Sequence, residues 1–316
     1  MKCKVFVDGQ EGTTGLKIND YLAQRDDLEI LKIPADSRKD QAVRREFLNA
    51  ADMVFLCLPD SAAREAVALI DNQSTRVLDA STAHRIHPKW VYGLAELNRS
   101  QRRKIADARR VAVPGCHATG FVLLVQPLIQ RGILDPAYPV SCQSLTGYSG
   151  GGKSLIKAYE EAVDKERLNP PRPYALKLQH KHLPEMRAVT GLAQPPVFQP
   201  VVGNYYQGMG VSVPLLSRRL NTTLSAAAMR DFLAEYYAGE RFVRVMPFAD
   251  EEGLEDGFMN VETCNGTNRV DLFVFGHEEQ ILLFARFDNL GKGASGAAIQ
   301  NFNIMLGLDE GLGLKA

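Results

Sequence analysis

Cys116 combines a reactive side chain with a position that stabilises its charged form. It follows Pro114-Gly115 and precedes a largely apolar segment, HATGFVLLVQPLIQRGIL, which we predict to be a buried helix. At a helix N-terminus the dipole and the backbone N–H groups stabilise a thiolate, so the thiol pKa falls and the sulfur becomes nucleophilic. The remaining cysteines lie in strand-like runs or near a chain end and are predicted to be inert: Cys3, Cys57, Cys142 and Cys264.

A cysteine nucleophile needs an acid/base partner, and the stretch QHKHLPEM supplies His180 and His182, followed by Glu185. We interpret one imidazole as the catalytic acid/base and the other as a neighbour that orients it or contacts substrate. The spacing does not decide between them. A metal site would need further ligands at suitable spacing, and none is found, so no metal is expected. The other histidines are predicted to lie at the surface or behind the reacting groups: His84, His87, His117 and His277.

Three glycines, Gly9, Gly12 and Gly15, lie between the first predicted strand and the first predicted helix. Glycine lets the backbone approach a pyrophosphate closely, and the helix N-terminus beyond it presents N–H groups and a positive dipole end to the anion. The spacing is GxxGxxG, one residue longer than the usual dinucleotide fingerprint, and a plain tight turn is the alternative. The position after the first strand favours a dinucleotide cofactor.

The turn after the second predicted strand, PADSRKD, bears on which dinucleotide binds. Ser37, Arg38 and Lys39 can hold a ribose 2′-phosphate, whereas Asp36 can accept a hydrogen bond from a free 2′-hydroxyl. The turn therefore favours NADP(H) over NAD(H), and a solvated charged turn without a ligand is the alternative.

The stretch TGYSGGGKS fits the phosphate-binding pattern GxxxxGK[ST] over residues 147–154. A nucleotide-binding P-loop also needs a strand–helix–strand unit of its own and an acidic strand end for magnesium. This stretch lies beyond the dinucleotide-binding region, and no hydrophobic strand ending in Asp follows at a natural distance, so ATP hydrolysis and kinase activity are not expected. The backbone N–H groups of Ser149, Gly150 and the two glycines that follow, with Lys153 nearby, are instead predicted to bind a phosphate group.

The elements that position these residues form two groups along the chain. In the first third, short apolar runs alternate with amphipathic stretches, which predicts a doubly wound parallel sheet with helices on both faces. The later segments VSCQSLT, MGVSVPLL, NRVDLFVFG and ILLFARFD alternate with period two and predict a mainly antiparallel sheet in an α+β domain. We place the first boundary near Pro114 to Cys116.

Composition limits the class of partner. The chain has 316 residues, with 37 Lys+Arg and 37 Asp+Glu, so no overall field attracts nucleic acid or an anionic membrane, and a small-molecule partner is expected. An odd number of scattered cysteines suggests neither a zinc knuckle nor a CxxC motif. The N-terminus shows no signal-like segment, and no apolar run approaches a membrane span, so a cytoplasmic protein with reduced thiols is expected.

Five blocks in order resemble the N-acetyl-γ-glutamyl-phosphate reductases, in their shorter subtype, of the semialdehyde dehydrogenase superfamily. The blocks are YGLAELN, VPGCHATG, LTGYSGGGK, QHKHLPEM and DNLGKGASGAAIQNFNIMLGL, and the resemblance runs from Gly9 to Leu308. It implies reduction of an acyl phosphate by NADPH to a semialdehyde, through a cysteine thioester, in arginine biosynthesis. Lys153 and His117 depart from the longer subtype, which commonly has an arginine and an aromatic residue there.

The resemblance also implies a domain plan and a cofactor site. Residues 1–115 and 297–316 are expected to form a Rossmann-type NADP-binding domain, because the last helix returns to it, and residues 116–296 a catalytic and dimerisation α+β domain. A homodimer or homotetramer is expected. The cofactor contacts that it implies are Gly9, Gly12, Thr13, Thr14, Gly15, Lys292 and Gly293, to which the turn after the second predicted strand adds Ser37 and Arg38.

The resemblance makes Cys116 the nucleophile and the His180/His182 pair the source of the acid/base. Ser81 and Arg85, in LDASTAHRIHP, are expected to face substrate. Together with the predicted phosphate-binding residues Ser149, Gly150 and Lys153, and with Glu185, they form the full set of expected substrate contacts.

Three rival functions stay open at this point. A sibling reductase would act on a carrier-linked aminoadipyl phosphate or on aspartyl phosphate. A cysteine hydrolase could use Cys116 and His182, but it would leave the Gly9–Gly15 turn unexplained. A protein that senses nucleotide without catalysis would bind NADPH and leave Cys116 unreactive.

Overall fold

The chain folds into two compact units. A computed structural model describes residues 2–9 and 12–316, so Met1, Gln10 and Glu11 lie outside the described part. Unit 1 comprises Met1–Pro114 and Ala294–Leu314, and unit 2 comprises Gly115–Gly293 with Lys315–Ala316. These bounds lie within three residues of the division proposed from sequence for the two longer segments.

Unit 1 contains a six-stranded sheet in which every neighbouring pair is parallel. Its spatial order is β2-β1-β3-β4-β6-β5. The strands are β1 (Cys3–Asp8), β2 (Leu28–Leu31), β3 (Met53–Leu56), β4 (Arg76–Asp79), β5 (Val91–Tyr92) and β6 (Arg110–Ala112). The helices of the unit are α1 (Thr13–Leu22), α2 (Gln41–Ala50), α3 (Asp60–Leu69), α4 (Gln101–Asp107) and α9 (Gly296–Met305).

Two separate apolar cores cover the two faces of this sheet. One contains Ile18 and Leu22 of α1, Ile105 of α4 and the buried side chains of α9, and the other contains Leu48 of α2 with the alanines of α3. Strands buried on both faces read as continuous apolar runs, as in MVFL of β3, where all four residues are buried. The predicted doubly wound, Rossmann-type parallel sheet is confirmed.

Unit 2 contains a seven-stranded mixed sheet in the order β11-β12-β13-β10-β7-β9-β8. Four of its six neighbouring pairs are antiparallel, and β11–β12 and β7–β9 are parallel, so the predicted mainly antiparallel sheet is confirmed. The strands are β7 (Ser141–Gly147), β8 (Arg172–Pro173), β9 (Val197–Gly203), β10 (Met209–Leu216), β11 (Val243–Val245), β12 (Val270–Gly276) and β13 (Gln280–Phe287). The helices are α5 (Cys116–Gln130), α6 (Gly152–Glu160), α7 (Leu183–Thr190) and α8 (Ala226–Tyr236).

Helix α5 is the central helix of unit 2, with 11 of its 15 residues buried. It packs closely on the sheet at Gly120, where an added Cβ would lie 2.8 Å from Val211 and from the Phe287 ring. This contact fixes the helix against β10 and β13 and so fixes its first residue, Cys116. Within the described ranges, no helix is long and apolar enough to cross a membrane.

Candidate active site

Cys116 is the first residue of α5, as the sequence predicted. The N-cap is Gly115, whose backbone is extended at φ −77° and ψ 145° and which has no side chain to occupy the helix N–H groups. The N–H of Gly115 instead donates to Oε1 of Glu185 on α7 at 2.8 Å, and both residues are buried. A buried carboxylate therefore holds the turn that presents the sulfur.

A second segment approaches the cysteine from the loop after β13. An added Cβ on Gly293 would lie 2.9 Å from the Cβ of Cys116, so this position has space for glycine alone without a shift. The loop is held by Asp288, whose carbonyl accepts from the N–H of Gly293 at 3.0 Å. Its carboxylate accepts from the N–H of Gly266 and of Leu290, both at 2.8 Å. The predicted contact residue Gly293 thus lies beside the predicted nucleophile.

Lys292, in contrast, has its side chain in the interior of unit 2. It is 1% exposed, and its Nζ lies 5.5 Å from the centre of the Phe242 ring. A cation over an aromatic face is stabilised by the ring quadrupole. The lysine side chain therefore packs against Phe242. The backbone near Gly293 takes no part in this contact.

The predicted acid/base pair lies at the start of α7. His182 is the N-cap of that helix and is 4% exposed, and its backbone N–H donates to Nδ1 of His180 at 3.2 Å. Because Nδ1 accepts, a neutral His180 carries its proton on Nε2. The two rings lie nearly perpendicular, with centroids 4.8 Å apart. The structure brings the pair together and gives the tautomer of one member.

His117 joins this pair, although the sequence placed it away from the reaction. Its ring is 3% exposed and lies 5.3 Å from the ring of His180 and 5.4 Å from that of His182. Burial, followed by the charges of His180 and Lys181, lowers the pKa of His117 to about 3. His117 is therefore neutral at physiological pH.

Tyr174, which the sequence did not single out, also belongs to this cluster. Its hydroxyl lies 2.8 Å from Nε2 of His117. Burial, followed by the negative charge of Cys116, raises the pKa of Tyr174, so the hydroxyl keeps its proton at neutral pH.

The glycine-rich stretch after β7 forms a 3₁₀ turn, Tyr148–Gly151, that leads into α6. Ser149 is 2% exposed, and its N–H donates to the carbonyl of Tyr206 at 2.9 Å. The N–H of Gly152 donates to the carbonyl of Ser149. Two of the four amides that we expected to bind phosphate are thus engaged by carbonyls, which leaves at most Gly150 and its successor for that role.

Asn289 ties this glycine-rich turn to the loop that carries Gly293. Its Oδ1 accepts from the N–H of Gly208 at 2.8 Å, which fixes the orientation of the side-chain amide. Its Nδ2 therefore faces Ser149 and donates to Oγ at 3.0 Å. With its oxygen accepting here, the hydroxyl of Ser149 has its own proton to donate elsewhere.

The resemblance of residues 147–154 to a P-loop extends to topology but not to the metal-binding acid. The stretch connects β7 to α6, and β7 runs parallel to β9, so a strand–helix–strand unit is present. The sequence of β9 is VFQPVVG, which has no acidic residue for magnesium. Lys153 lies exposed at the second position of α6.

In unit 1, the predicted cofactor turn connects β1 to α1. Gly9 has φ +88°, and an added Cβ would lie 2.3 Å from the carbonyl oxygen of Cys57, so only glycine fits. Gly12 is the N-cap of α1, and its N–H donates to the carbonyl of Gly9 at 3.0 Å. Thr13 and Thr14 begin the helix and Gly15 is buried within its first turn. Oγ1 of Thr13 is a buried atom with no hydrogen-bond partner in the described part of the chain.

The features of this turn fit a phosphate group. A glycine N-cap leaves the helix N–H groups uncovered, and the first turn, TTGL, carries no acidic residue that would repel an anion. The unpaired hydroxyl of Thr13 adds a donor. The turn after β2 contains Ser37, whose hydroxyl donates to Asp36 at 3.1 Å, and the partly buried Arg38. The candidate group for a free ribose 2′-hydroxyl, Asp36, and those for a 2′-phosphate, Ser37 and Arg38, therefore lie in one turn.

The residues predicted to face substrate in unit 1 lie after β4. Ser81 is 7% exposed, and its hydroxyl donates to Oδ2 of Asp79 at 2.8 Å, so its proton is engaged within the turn. Arg85 donates through Nε to the carbonyl of Val113 at 3.0 Å and through Nη2 to that of Ala80 at 3.1 Å. His84, 6% exposed, lies 2.6 Å from Asp79 through Nδ1. Arg85 is thus held by backbone carbonyls, and the hydroxyl of Ser81 stabilises the turn.

The other cysteines are poor nucleophiles for a physical reason. Burial raises the pKa of Cys57 to about 12 and that of Cys264 to about 11, and it also raises the pKa of Cys142. Burial and the charge of Asp52 raise the pKa of Cys3 to about 11. All four thiols stay protonated at neutral pH, whereas Cys116 lies half-buried at a helix start.

Two domain families match the chain. Residues 4–105 match the semialdehyde dehydrogenase NAD binding domain, and residues 116–289 match the semialdehyde dehydrogenase dimerisation domain. The chain belongs to the semialdehyde dehydrogenase family. The second match shows that unit 2 corresponds to the part of this family that is named for self-association.

Relatives within the semialdehyde dehydrogenase family share about half of the sequence, and the resemblance stated from motifs is confirmed. The chain is 49% identical to N-acetyl-gamma-glutamyl-phosphate reductase 2 of Nostoc sp., over 99% of each chain. It is 47% identical to N-acetyl-gamma-glutamyl-phosphate reductase of Mesorhizobium japonicum, over 98% of this chain and 100% of the relative. The corresponding protein of Brucella ovis is 48% identical, over 97% and 100%.

Solved structures of the family show the same fold at low identity. Aspartate semialdehyde dehydrogenase II of Vibrio cholerae, complexed with ASA, has a TM-score of 0.70 and 12% identity, covering 97% of this chain and 98% of that one. Aspartate semialdehyde dehydrogenase of Francisella tularensis has a TM-score of 0.71 and 13% identity, covering 96% and 100%. At these identities the likeness concerns the fold alone.

Three site residues were missed from sequence, each for a different reason. His117 directly follows the nucleophile, and its position in the second place of a buried helix was a usable signal. Tyr174 lies in an irregular stretch with no periodicity. Asn289 is part of the DNLGKG block, but its hydrogen bonds connect segments more than 80 residues apart in sequence, which no spacing reveals.

Proposed function

We propose that the protein reduces N-acetyl-γ-glutamyl phosphate to N-acetylglutamate 5-semialdehyde and phosphate, using NADPH, in arginine biosynthesis. The observation that carries the proposal is the surroundings of Cys116. A half-buried cysteine begins a buried helix, with the carboxylate of Glu185 on the N–H of Gly115 before it and Gly293 against it. The relatives that share about half of the sequence over almost the whole chain carry the name of this activity.

The cofactor is NADP(H), and unit 1 has the features that hold it. We propose that the N–H groups at the start of α1, with Gly9, Gly12 and Thr13, bind the pyrophosphate. Thr14 and Gly15 complete that turn, and Ser37 and Arg38 bind the ribose 2′-phosphate. When bound, the reduced nicotinamide supplies the hydride that the reduction requires. In this proposal residues 1–115 and 297–316 bind the cofactor, and residues 116–296 contain the catalytic groups.

In the acyl-transfer step, the thiolate of Cys116 attacks the acyl carbon of the substrate. The bond between that carbon and the phosphate oxygen breaks, phosphate leaves with the electron pair, and a thioester forms on the sulfur. The negative oxygen of the tetrahedral state lies at a helix start, where the N–H of Cys116 can donate to it. Loss of one such donor costs about 2.7–4 kcal/mol of transition-state stabilisation in other enzymes.

In the reduction step, the thioester carbon gains a hydride, and the resulting oxyanion collapses to an aldehyde as the sulfur leaves. A histidine of the pair His180/His182 donates a proton to that oxyanion to give a thiohemiacetal, and takes the proton back when the aldehyde forms. The geometry favours His180 as the acid/base, because it is only half-buried. His182, the N-cap of α7, is almost fully buried. Substrate recognition is proposed for Arg85, Ser149, Gly150 and Lys153, with Ser81 and Glu185 in support.

A direct assay tests the proposal against its rivals. Purified protein is given N-acetyl-γ-glutamyl phosphate, aspartyl phosphate or carrier-linked aminoadipyl phosphate, and NADPH consumption is followed by absorbance. We expect rapid consumption with the first substrate and, in reverse, phosphate-dependent reduction of NADP by N-acetylglutamate semialdehyde. A preference for another acyl phosphate would contradict the substrate assignment. Release of phosphate without NADPH consumption would instead support a cysteine hydrolase.

Self-association is proposed to use the open face of the unit 2 sheet. Along the β10–β13 ladder, Val211, Val213 and their partners are buried against α5, whereas Pro214 and Leu282 on the other face are exposed. The exposed pair is apolar, and a second copy of the chain would cover it in a homodimer or homotetramer. Leu282→Glu is expected to shift the sedimentation profile towards monomer. An unchanged profile would exclude this face. We also propose a cytoplasmic location.

A further inference from the structure

The loop that contacts Cys116 is anchored at its start by a buried carboxylate. Asp288 is 1% exposed and directly follows β13. Its Oδ1 accepts from the N–H of Leu290 at 2.8 Å. Its Oδ2 accepts from the N–H of Gly266 at 2.8 Å and from Nε2 of Gln207 at 3.1 Å. Both carboxylate oxygens are therefore engaged, by donors from three separate segments of the chain.

This arrangement of donors requires an acceptor on each side of the side chain. Asp288→Asn would supply one acceptor oxygen and one NH2 group, which can only donate. With its oxygen towards Leu290, the amide would present NH2 to Gly266, and the opposite orientation would present NH2 to Leu290. A backbone N–H that loses its acceptor inside a protein is costly. The need for two acceptors explains why a carboxylate is buried here in spite of its desolvation cost.

The far end of the same loop lies against Cys116. The N–H of Gly293 donates to the carbonyl of Asp288 at 3.0 Å, so the loop closes on the residue that anchors it. An added Cβ on Gly293 would lie 2.9 Å from Cβ and 3.4 Å from Cα of Cys116. The backbone of Gly293 therefore closes one side of the cysteine side chain and limits the rotamers that its sulfur can adopt.

The rest of the loop transmits the position of Asp288 to this contact. An added Cβ on Gly291 would lie 2.2 Å from the carbonyl oxygen of Thr267 and 3.1 Å from Cβ of Asp288, so the loop is packed tightly at its middle. Residues Gly291–Ser295 form a π-helical turn, a rare conformation that occurs frequently at functional sites. A loop packed in this way moves as one piece, and a shift of its anchor displaces the backbone beside the sulfur.

We propose that Asp288 is a positioning residue for Cys116. Through the loop that ends at Gly293, its carboxylate holds the cysteine side chain in the geometry that attack on an acyl carbon requires, and small displacements of reacting atoms lower rates strongly. The proposal rests on the proposed function in taking Cys116 as the nucleophile. Asp288 itself has no assigned contact with substrate, because both of its oxygens accept hydrogen bonds from the protein.

Steady-state kinetics of two variants test the proposal. Asp288→Asn deprives one backbone N–H of its acceptor, and kcat is expected to fall roughly 10- to 100-fold, with KM and NADPH affinity close to the wild type. Gln207→Ala removes one side-chain donor and leaves both backbone bonds in place, so kcat is expected to fall by roughly 2- to 10-fold. A wild-type kcat in both variants would overturn the proposal.

The matched control is Asp135→Asn. Asp135 is exposed, and its Oδ1 accepts from the N–H of Ala137 at 2.7 Å. An amide oxygen can replace this single acceptor, so the control is expected to keep the kcat of the wild type. A loss in the control equal to that in Asp288→Asn would overturn the explanation by two acceptors.

Alkylation by iodoacetamide, read by peptide mass spectrometry, separates positioning from general loss of stability and needs no substrate. Cys142 and Cys264 are both 0% exposed in unit 2 and serve as internal controls. Rates are compared at the high-pH plateau, where the Cys116 thiol is ionised in every variant, so that the lost charge of Asp288 does not affect them. We expect Cys116 to react faster in Asp288→Asn, because the side closed by Gly293 opens, while the two controls stay protected. An unchanged or lower rate at Cys116, or an equal rise at all three cysteines, would overturn the proposal.

Gln207→Ala keeps the test valid if Asp288→Asn does not fold. It retains the carboxylate, and it is expected to raise the alkylation rate of Cys116 by a smaller factor and to speed amide hydrogen exchange at Gly293. Exchange at Thr119 of α5, whose N–H donates to the carbonyl of Gly115 at 2.8 Å, is expected to stay unchanged. If these changes appear but the wild type does not reduce the acyl phosphate, the proposed function fails and the role of Asp288 in placing Cys116 stands. An active wild type with both variants unaltered would sink the inference and leave the function standing.

Discussion

Two helix N-termini in this molecule are built for anions, and they are held in different ways. Helix α1 and helix α5 both have glycine as the N-cap, and neither first turn contains an acidic residue. At α1 the turn is held by backbone, through the bond from Gly12 to Gly9. At α5 the turn is held by the buried carboxylate of Glu185, which accepts from the N–H of Gly115, and by the backbone of Gly293 against Cys116.

The difference follows from what each helix holds in the proposed function. A cofactor that enters and leaves brings its own phosphate oxygens, so backbone N–H groups in a turn that fits only glycine are sufficient. A covalent nucleophile must stay in one geometry through two chemical steps, because small displacements of reacting atoms reduce rates strongly. The side chains around Cys116 supply that rigidity, and variants at the two turns should therefore fail differently.

The largest effect is expected at the sulfur itself. Cys116→Ser replaces the proposed nucleophile with a hydroxyl that stays protonated, so turnover should fall by roughly 10⁴-fold or more, as when other covalent nucleophiles are removed. NADPH affinity, measured by fluorescence titration, should stay near the wild-type value, because the cofactor turn is in unit 1. Cys3→Ser is the control and should keep full activity. Normal turnover in Cys116→Ser would remove the nucleophile assignment.

Glu185→Ala removes the carboxylate that accepts a hydrogen bond from Gly115 and so holds the turn before Cys116. The buried N–H of Gly115 would lose its partner, which costs about 1–3 kcal/mol, and kcat should fall roughly 10- to 100-fold. Glu185→Gln keeps an acceptor oxygen at the same place and should retain more of the activity. Steady-state kinetics and thermal unfolding of the two variants measure this. Equal loss of activity in both variants would mean that activity depends on the charge of Glu185 and not on its hydrogen bond to Gly115.

Gly9→Ala tests the turn of the other helix. The residue has φ +88°, and the new Cβ would meet the carbonyl oxygen of Cys57, so the turn must shift. NADPH affinity should fall roughly 10- to 100-fold, since the strain is about 1–3 kcal/mol. Gly12→Ala, where the added Cβ would lie 3.4 Å from its nearest neighbour, should be milder. Slower alkylation of Cys116 in Gly9→Ala would show that the two turns are not separate in function.

The smallest effect concerns pH and stability. Burial lowers the pKa of His117 from 6.5 to about 3, so between these values the unfolded chain binds a proton that the folded chain does not. Stability should therefore fall as pH drops from 6.5 towards 3, by up to about 1.4 kcal/mol per pH unit from this group. Urea unfolding at several pH values should show a shallower decline in His117→Phe. An equal slope in both proteins would mean that His117 is protonated in the folded state.

Much of the fold could be read from periodicity, for reasons visible in particular elements. MVFL of β3 is apolar throughout because the parallel sheet is covered on both faces, whereas residues of β10 and β13 alternate because one face is open. The start of α5 at Cys116 was predictable from the Pro-Gly before it and the apolar run after it. Register and strand order were not, since they depend on pairing between distant segments.

The parts of the site that lie within one short stretch of sequence were predictable, and the parts that distant segments form together were not. The cysteine, the histidine pair and the first glycine turn each lie in one short stretch with a recognisable chemistry. The amide of Ser149 is engaged by the carbonyl of Tyr206, in the segment after β9, which sequence spacing does not reveal. The amide of Gly152 is engaged locally, by the carbonyl of Ser149 in the 3₁₀ turn. The burial of Lys292 over Phe242 and the bond from Asn289 to Ser149 also arise only in the folded chain.

The acyl-enzyme itself offers the most direct test of the central claim. The wild-type protein is mixed with N-acetyl-γ-glutamyl phosphate in the absence of NADPH, quenched in acid, and studied by intact-protein and peptide mass spectrometry. The account predicts one N-acetylglutamyl group, attached to Cys116 and lost within a turnover when NADPH is added before the quench. Acylation at another residue, or turnover at the wild-type rate with Cys116 never modified, would contradict it.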